Sequence, residues 1–443
     1  MPKPFPPLPG TPLPIFYQAG ESHVLVYAAG FLVRVEKQNW QELLHSSSEW
    51  QILRDHAIQS NREPARWQSY TPFSLHIYLT QKCNLACSYC FSKPTRSNQT
   101  ASELTTEAIL SAAELVSENC CQWNSPMTVV FHGGGEPTQD KRIEPLAHYI
   151  RDICEHKNIQ SFFYLATNGV MRAEIADKMC GLFDLIGLSC DGPPDIQDAQ
   201  RPTRAGTGSS KFIENTAKVF NEHHQEFEVR VTLTKASWPR MPDIAAYLIE
   251  ELHPQAINVE LCYRTSSFPV DENDFEGFID TYFKAQEVCQ RSKVPWRTSR
   301  LRPGQQHRQY CHILQNTLQI IPGDAASMCF LDSDAQESTK SNTQIGVYQH
   351  KGHTWHIDQA KLNKNRKIVL RKEAYCKDCF AQTHCHRSCP DRCPIAAPQK
   401  LPDLHCKLNR QLLRTALESE GQTLAEHCKE NNLTIAGKEI IAC

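Results

Sequence analysis

Three closely spaced cysteines are the residues of this chain whose type and spacing most directly indicate chemistry. Cys83, Cys87 and Cys90 form a C-x3-C-x2-C pattern. Three thiolates this close can bind one compact inorganic cluster, and a four-iron cluster normally takes four thiolates. With only three, one iron would stay open to a ligand from outside the protein. The alternative is a zinc knuckle or three separate buried thiols, but zinc sites usually combine two Cys or His pairs, and no second pair lies nearby in the sequence.

The residues around these cysteines predict the elements that hold them in place. Apolar and polar side chains alternate over residues 74–80, which is typical of a strand. Further strands are predicted at 127–132, 160–167, 184–190, 227–234 and 256–262. Helix-like stretches lie between them, near 105–119, 140–157, 171–181, 210–223, 241–252 and 273–291.

This regular alternation predicts the fold class. Six strand–helix units indicate an α/β protein with a parallel sheet and right-handed crossovers. Six units are fewer than the eight that close a full barrel, so a partial (β/α)6 TIM-like barrel is expected. Ligands of such barrels bind at the carboxyl ends of the strands. The three-cysteine loop follows the first strand and therefore lies at that end.

Polar and glycine residues follow the next three predicted strands. Gly134, Gly135 and Glu136 come after the second, Asn168 after the third, and Ser189 and Asp191 after the fourth. Glycines let a backbone approach a ligand closely, and a carboxylate can receive an ammonium group. Hydroxyl, amide and carboxylate groups at the barrel mouth suit ribose hydroxyls. The alternative is ordinary turn chemistry, since Asn-Gly and Asp-Gly form turns in any protein.

The cysteine loop, with its Tyr89-Cys90-Phe91 ending, resembles the cluster loop of radical S-adenosylmethionine (SAM) enzymes. That resemblance implies a [4Fe–4S] cluster whose open iron chelates the amino and carboxylate groups of SAM. Residues 131–137 resemble the GGE-P motif of these enzymes, in which the positions of Gly134, Gly135 and Glu136 hold the SAM amino group.

The stretch from residue 189 to residue 210 resembles one in radical SAM peptide and protein maturases. Ser189 and Asp191 are the ribose candidates within it. Arg201 or Arg204 would clamp the SAM carboxylate through a bidentate pair. The sequence does not decide between these two arginines.

A second group of cysteines lies near the C-terminus. Cys376, Cys379, Cys385 and Cys389 form C-x2-C-x5-C-x3-C, Cys406 follows, and Cys311 and Cys329 lie upstream. Together they resemble the SPASM domain, which carries two auxiliary [4Fe–4S] clusters. By position, one cluster would take Cys376, Cys379, Cys385 and Cys406, and the other Cys311, Cys329 and Cys389. The fourth ligand of the second cluster is open: it is absent, or it is His307, His312 or Cys393. A pair of zinc ribbons is the alternative.

Composition excludes several function classes. There are 47 Lys and Arg against 49 Asp and Glu, with no basic stripe, which argues against nucleic-acid binding. No apolar run is long enough to span a membrane, and the proline-rich start does not resemble a signal peptide. We therefore expect a cytoplasmic protein. Since cytosolic thiols stay reduced, clustering among the 20 cysteines favours metal ligation over disulfides.

Four regions are expected along the chain. Residues 1–70 form an arm and a β-β-α module, which either caps the barrel edge or docks a peptide by adding it as a strand. Residues 71–295 form the radical SAM barrel, residues 296–410 an irregular Fe–S domain, and residues 411–443 a helix and tail. The cysteines outside the two clusters are expected to be small buried hydrophobes.

The resemblance also implies the activity. SAM would be cleaved reductively to a 5′-deoxyadenosyl radical, and a ribosomally made precursor peptide would be modified oxidatively, with a side-chain crosslink as the favoured product. The electron donor would be a flavodoxin or ferredoxin. The nearest alternative is an anaerobic sulfatase maturase, which makes formylglycine; a small-molecule substrate and a non-catalytic zinc protein are the others. In sulfatase maturases an acidic residue follows an auxiliary-cluster cysteine, whereas here Phe330 follows Cys329. Asp332 is the first carboxylate and the candidate catalytic residue.

Overall fold

The computed structural model describes residues 15–19, 23–28, 31–36, 70–90, 92, 103–262, 270–301, 316–370, 379–381, 404–427, 432–435 and 438–441. Several predictions fall outside these residues. They concern the arm at 1–14, the helix near 38–60, and the candidate ligands Cys311, Cys376, Cys385, Cys389, His307, His312 and Cys393.

The N-terminal part contains a small antiparallel sheet. Its strands are β1 (Ile15–Ala19), β2 (His23–Ala28) and β3 (Phe31–Glu36), in that order across the sheet. The β2–β3 hairpin was predicted from the two apolar runs around Ala28-Ala29-Gly30, whereas β1 was not predicted. β1 is only five residues long and directly follows the proline-rich segment, so its sequence shows no clear strand pattern.

Six parallel strands form the partial barrel, as predicted. They are β4 (Ser74–Ile77), β5 (Met127–Phe131), β6 (Ser161–Thr167), β7 (Leu185–Ser189), β8 (Phe227–Leu233) and β9 (Ala256–Leu261). Each pairs in parallel with the next along the chain. This order places the loops after all six strands at one end of the barrel.

Helices cover the outer face of these strands. They are α1 (Thr106–Trp123), α2 (Ile143–His156), α3 (Ala173–Met179), α4 (Pro194–Gln200), α5 (Ser210–Glu222), α6 (Met241–Tyr247) and α7 (Phe275–Arg291). A π-helical turn, Leu248–Leu252, continues α6. All were predicted except α4, which two prolines and many polar residues conceal.

The strands after residue 295 continue the barrel sheet. β10 (Trp296–Arg297) pairs in parallel with β9, and β11 (Thr317–Ile321) pairs in parallel with β4. The antiparallel strands β12 (Ala325–Ser327), β13 (Gln344–Gln349) and β14 (Thr354–Ile357) follow β11. We expected a separate module here. Instead, β11 satisfies the backbone groups that the edge strand β4 would otherwise leave unpaired.

The remaining described elements lie in the C-terminal third of the chain. They are α8 (Ala335–Lys340), α9 (Gln359–Leu370), α10 (Leu404–His427) and the hairpin β15 (Asn432–Ile435) and β16 (Lys438–Ile441). Tyr27 of β2 packs with Phe380, Leu413 and Leu417 in a buried cluster. The N-terminal sheet thus contacts the cysteine-rich region and α10.

Strand alternation separates the two faces of the barrel. Leu75 and Ile77 of β4 are fully buried in the main apolar core, which the helices cover. His76 and Tyr78, between and after them, lie on the opposite face, inside the barrel. Within the described part of the chain, no helix has the length and apolar character needed to cross a membrane.

Candidate active site

The three-cysteine loop is fastened by the segment that follows α4. Backbone hydrogen bonds run from Ala86 N to Pro202 O at 2.8 Å, from Ser88 N to Gln200 O at 2.9 Å and from Arg204 N to Asn84 O at 3.0 Å. The 200–204 segment therefore lies beside residues 84–88 like an added strand. The maturase-like stretch at 189–210 therefore has a structural role: its residues 200–204 hold the backbone of the cysteine loop in place.

The thiol of Cys83 accepts two weak hydrogen bonds. The donors are Leu85 N at 3.5 Å and Asn168 Nδ2 at 3.6 Å. Burial raises the pKa of Cys83, and it raises the pKa of Cys87 to about 11 although Arg201 opposes the shift. Thiols in such a site would lose their protons only when a metal replaces them. N–H···S bonds of this kind tune the potential of an iron–sulfur cluster.

The chemistry of the loop cysteines fits an iron–sulfur cluster. Cys83, Cys87 and Cys90 are all half-buried free thiols within one short loop, and, in addition to burial, Cys83 and Cys90 both raise the pKa of Cys87. Each thiolate of a [4Fe–4S] cluster binds a different iron. The residues present therefore fit three of the four positions of such a cluster.

Gly135 brings the turn after β5 into direct contact with the cysteine loop. A Cβ at this position would lie 2.2 Å from Lys82 O and 2.6 Å from Gln81 C. In addition, Glu136 N donates to Lys82 O at 2.7 Å. Gly134 has φ +103°, which other residues rarely adopt. These glycines bring two backbones together at the start of the cluster loop.

The carboxylate of Glu136 is buried and already has several donors. Its Oε1 accepts hydrogen bonds from Thr167 Oγ1 at 2.7 Å, Thr138 Oγ1 at 2.8 Å and Thr138 N at 3.2 Å. Its Oε2 accepts from Asn168 N at 2.7 Å. Burial raises the pKa of Glu136, and these donors act against the rise. Since a carboxylate offers about four acceptor positions, most of the capacity of Glu136 is used to hold β6 against β5.

Asp191 was predicted to contact ribose, but the structure gives its carboxylate other partners. It is fully buried, and Oδ2 accepts from the Tyr89 hydroxyl at 2.5 Å and from Gln200 Nε2 at 2.7 Å. Oδ1 accepts from Thr232 N at 2.8 Å. Asp191 therefore connects the cysteine loop, α4 and β8 rather than presenting its carboxylate to the barrel mouth.

The structure distinguishes the two candidate arginines. Arg201 is buried, and its Nε lies 3.0 Å from Asp191 Oδ2. Its guanidinium lies 5.3 Å from the centre of the Tyr89 ring. Burial acts to lower the pKa of Arg201, but the interaction with Asp191 and other neighbours outweighs burial and raises that pKa well above its ordinary value. Arg204 is exposed. Arg201 is thus the arginine next to the cluster loop, although one of its donors is already used by Asp191.

Asn168 and Ser189 lie at the same end of the barrel. Asn168 Nδ2 donates to Asn84 Oδ1 at 2.8 Å, and Asn168 Oδ1 accepts from Val170 N at 2.8 Å. Asn168 therefore positions the cysteine loop. Ser189 ends β7, is half-buried and remains a candidate for a ribose contact.

Asp332 lies in a closed hydrogen-bond network. It is 2 % exposed, and its carboxylate accepts from Ser327 Oγ at 2.5 Å, from Ser341 Oγ at 3.1 Å and from the Thr343 hydroxyl. This geometry does not fit the predicted catalytic role, because all three donors come from the segment that runs from β12 to β13. The neighbouring Phe330 instead reaches the barrel, with its O accepting from the Tyr78 hydroxyl at 2.5 Å.

Three of the predicted auxiliary-cluster cysteines can be placed. Cys329 is half-buried directly after β12, and its O accepts from Gln319 Nε2 at 3.0 Å. Cys379 and Cys406 are both buried. The Arg410 guanidinium, one turn after Cys406, lies 5.9 Å from the Phe380 ring centre. Cys379 and Cys406 therefore belong to one neighbourhood, which is compatible with a shared cluster.

Sequence reasoning missed several residues of the site. Tyr89, Thr167, Gln200 and Thr232 hold the two buried carboxylates, and Asn84 contacts Asn168. The sequence did indicate Thr232, because polar and apolar residues alternate along β8 and Thr232 is one of the polar positions. The same alternation places His76 and Tyr78 on the polar face of β4. Nothing in the sequence marked Tyr89 or Gln200 as partners of Asp191, since their contacts span 102 and 9 positions of the chain.

Comparisons with known proteins identify the class of this fold and site. Residues 77–235 match the family model of the radical SAM superfamily. The matched region begins at the last residue of β4 and contains β5 to β8, all three loop cysteines and the glycine-rich turn after β5. The chain thus contains a radical SAM domain, as the resemblance of the loop predicted, and radical SAM domains use a [4Fe–4S] cluster and SAM.

Two kinds of relative give further detail. A cysteine-type anaerobic sulfatase-maturating enzyme of Clostridium perfringens (strain ATCC 13124) is 27% identical over 186 residues, 41% of this chain and 49% of that protein. The Fe-coproporphyrin III synthase of Methanosarcina barkeri (strain Fusaro) is 27% identical over 189 residues, 42% of this chain and 43% of that protein. The chain thus aligns with about half the length of the curated relatives it matches.

Solved structures show the fold over a longer stretch. Native anSMEcpe with bound AdoMet superimposes with a TM-score of 0.64 at 18% identity, covering 80% of this chain and 100% of that one. Its complex with AdoMet and the Cp18Cys peptide gives a TM-score of 0.62 at 18% identity, covering 80% and 99%. At this identity the likeness establishes the architecture alone.

Proposed function

We propose that this protein is a radical SAM maturase that oxidatively modifies a ribosomally made peptide, with a side-chain crosslink as the product. The observation that carries the proposal is the fastening of the cysteine loop by residues 200–204, directly beside a barrel interior lined with polar side chains. When bound, the cluster and SAM would supply a 5′-deoxyadenosyl radical, which removes a hydrogen atom from a substrate carbon.

The residues of this chain would bind and orient these groups. Cys83, Cys87 and Cys90 would hold the cluster. The carbonyl oxygens of the Gly134-Gly135 turn would accept from the SAM amino group, since the donors on Glu136 already use most of its carboxylate. Arg201 would bind the SAM carboxylate through the nitrogens not facing Asp191.

A peptide is the favoured substrate class. The barrel is open on one side, and a structure of similar architecture contains a bound Cp18Cys peptide as well as AdoMet. Cys329 would be a ligand of one auxiliary cluster, and Cys379 and Cys406 ligands of the other. The physiological electron donor would be a flavodoxin or ferredoxin. The N-terminal sheet remains a candidate for contacting the precursor peptide.

An anaerobic sulfatase maturase is the second candidate, because the curated relatives include such enzymes. In this chain, however, the first carboxylate after Cys329 is that of Asp332, and it accepts hydrogen bonds from Ser327, Ser341 and Thr343. Asp332 is therefore not available as a base beside the cluster. The comparisons support this candidate as well as the first, and the two differ in the product that they form on a peptide.

The first experiment tests the radical SAM reaction itself. Protein reconstituted without oxygen should contain about twelve irons per chain if three cubes form, and reduction in the presence of SAM should release 5′-deoxyadenosine. Cys83→Ala should abolish this release. Cys121→Ala, which removes an exposed thiol outside the loop, should leave it unchanged. Normal release from the Cys83 variant would refute the assignment.

The second experiment identifies the reaction on the peptide. The reduced holoenzyme is incubated with SAM and either the peptide encoded by a short reading frame beside its gene or a sulfatase-derived cysteine peptide. Crosslinking removes two hydrogen atoms from the peptide, which lowers its mass. Tandem mass spectra then show which two residues are joined. Formylglycine formation instead creates an aldehyde that reacts with hydroxylamine. An aldehyde on the sulfatase peptide, without crosslinking of the first, would favour the second candidate.

A further inference from the structure

The inside of the barrel contains a group of polar side chains that the proposed reaction does not use. We call it the polar lumen cluster and define it as His76, His132, Tyr164, Glu228 and Arg230. All five are half-buried. The interiors of such barrels are normally filled by packed, branched apolar side chains. A polar interior is costly unless its groups are paired, so these residues indicate a ligand of complementary chemistry.

Arg230 is held near the mouth of the barrel. The backbone of Arg230 on β8 pairs with that of Ser189, the last residue of β7. Its Nη1 donates to His132 Nε2 at 3.3 Å, and the His132 ring stacks on Tyr78 with centroids 5.4 Å apart. His132 directly precedes the glycine-rich turn beside the cysteine loop. The guanidinium is therefore near the end of the barrel that carries the glycine-rich turn and the cysteine loop.

The acidic side chains around Arg230 are engaged by other groups. Among the described residues, no ion pair links Arg230 to an acidic side chain, although Glu228 lies two positions away on β8. The Oε1 atom of Glu228 accepts from the Tyr164 hydroxyl at 2.9 Å instead. The other lumen acid near this end, Glu260, accepts from Ser299 N at 2.6 Å. A partly buried guanidinium in this situation is a strong site for an anion.

The imidazoles provide further polar groups rather than charge. Because a guanidinium can only donate, Nε2 of His132 must be an acceptor, and its proton lies on Nδ1. Nδ1 of His132 and Nδ1 of His76 are buried with no hydrogen-bond partner in the described part of the chain. Burial, Arg230 and His76 lower the pKa of His132 well below its ordinary value, and burial lowers the pKa of His76 to about 3. Both rings therefore stay neutral.

Gly187 makes this arrangement possible. A Cβ on Gly187 would lie 1.9 Å from the Tyr164 hydroxyl oxygen and 3.1 Å from Arg230 Cδ. Only glycine leaves space for both side chains to cross β7 on the lumen face. The Tyr164 hydroxyl therefore lies between the two charged side chains: it donates to Glu228 and is hydrogen-bonded to Arg230, so Glu228 reaches the guanidinium only through Tyr164. The other nitrogens of the guanidinium can bind an anion.

We propose that Arg230 recognises a carboxylate of the substrate and that His132 positions its guanidinium. This inference rests on the proposed function and specifies the substrate: the residue drawn into the barrel carries, or lies next to, an acidic group. The carboxylate would belong to an aspartate or glutamate side chain or to a chain terminus. Both share the chemistry that a guanidinium binds through paired N–H groups.

The test is calorimetric titration of the anaerobic holoenzyme with three small probes. They are N-acetyl-glutamate N-methylamide, its glutamine analogue, and N-acetylglycine, which carries only a terminal carboxylate. We expect the carboxylate probes to bind and the glutamine analogue not to bind. Tighter binding of the first probe assigns the site to a side chain, and tighter binding of N-acetylglycine assigns it to a terminus. Equal binding of the glutamate and glutamine probes would overturn the proposal.

Matched variants complete the test. Arg230→Gln should weaken binding of the carboxylate probe about tenfold or more, which corresponds to about 1.4 kcal/mol or more. Lys218→Gln removes the same charge from an exposed helix face and should bind like the wild type. Arg230→Lys keeps the charge but not the planar fork and should bind with intermediate affinity. Unchanged binding by Arg230→Gln would contradict the assignment.

A separate measurement distinguishes the substrate carboxylate from that of SAM. SAM binding without substrate, followed through the change in the electron paramagnetic resonance signal of the cluster, should be the same in Arg230→Gln and the wild type. If the variant lost SAM binding, Arg230 would serve the cofactor and the inference would fail. If the wild type itself released no 5′-deoxyadenosine, the proposed function would fail instead, whatever the probes showed.

Discussion

The Tyr89 hydroxyl donates a 2.5 Å hydrogen bond to the buried carboxylate of Asp191, which lies 102 positions later in the chain. Tyr89 stands between Cys87 and Cys90, and its ring also faces the Arg201 guanidinium. Two cysteines of the loop are therefore anchored through one side chain to the interior of the barrel. This contact explains why a tyrosine stands within the cysteine motif.

We expect Tyr89→Phe to weaken the cluster loop without unfolding the barrel. A hydrogen bond to a charged group contributes about 1.5–3 kcal/mol, while Gln200, Thr232 and Arg201 would still hold Asp191. Thermal unfolding should shift to lower temperature, and loss of cluster absorbance on exposure to a chelator should become faster. Tyr149→Phe, at an exposed position on α2, is the control and should change neither. Equal chelator resistance in both variants would mean that the contact does not anchor the loop.

Gly135→Ala should prevent assembly of the cluster. The added Cβ would overlap the backbone at Lys82 O and Gln81 C, so the cysteine loop would have to move. The iron content and visible absorbance of the reconstituted protein measure the effect directly. Gly133→Ala is a matched control in the same turn, because its Cβ would meet only Gly135 O at 3.8 Å. A Gly135→Ala protein with a full complement of iron would contradict the close approach of the two backbones.

Asp332→Asn should change the pH dependence of stability rather than the reaction. Burial raises the pKa of Asp332 above its ordinary value of 3.8, so the folded state binds this proton more tightly than the unfolded state. The contribution of Asp332 to the free energy of unfolding is present below pH 3.8 and is lost as the pH rises through the pKa of Asp332 in the folded state. Asparagine does not titrate, so the free energy of unfolding of the variant should fall less than that of the wild type over the same pH range.

Urea unfolding at a series of pH values measures this effect. Asp152→Asn, at an exposed position, is the control and should follow the wild-type profile. Release of 5′-deoxyadenosine and product formation by Asp332→Asn should stay near wild-type levels. A loss of product with normal SAM cleavage would restore Asp332 as a catalytic base.

Replacing a C-terminal cysteine should separate SAM cleavage from product formation. Cys379→Ala should retain some release of 5′-deoxyadenosine but stop oxidation of the peptide, because the loop cluster would remain while an auxiliary cluster would not form. Chromatography and mass spectrometry measure the two products in one reaction. Cys289→Ala, in the barrel core, would control for general loss of a buried thiol. An unchanged product yield would mean that the auxiliary clusters have no catalytic role.

Sequence patterns predicted the barrel well because its elements are locally specified. The period-two alternation of β4 and the amphipathic helices between strands gave the six units and their order. The cysteine loop and the turn at Gly134, Gly135 and Glu136 were predicted because short motifs carry them. The roles of Asp191 and Asp332 were not predictable in this way. Tyr89 and Thr232, which hold the Asp191 carboxylate, are distant in sequence, whereas the three hydroxyl donors to Asp332 lie within 11 positions of it. In both cases, the sequence pattern gives no indication of which donors will reach the carboxylate.

The pairing of β11 with β4 was also beyond local patterns, and it has a practical consequence. β4 leads directly into the cysteine loop, and its hydrogen bonds to Thr317–Ile321 fill the outer edge of the barrel sheet. Cutting the gene at the boundary near residue 295 would leave that edge bare and able to pair with other chains. A shortened protein would therefore be expected to precipitate, so truncation cannot reveal what the second half contributes; point substitutions are the appropriate tool.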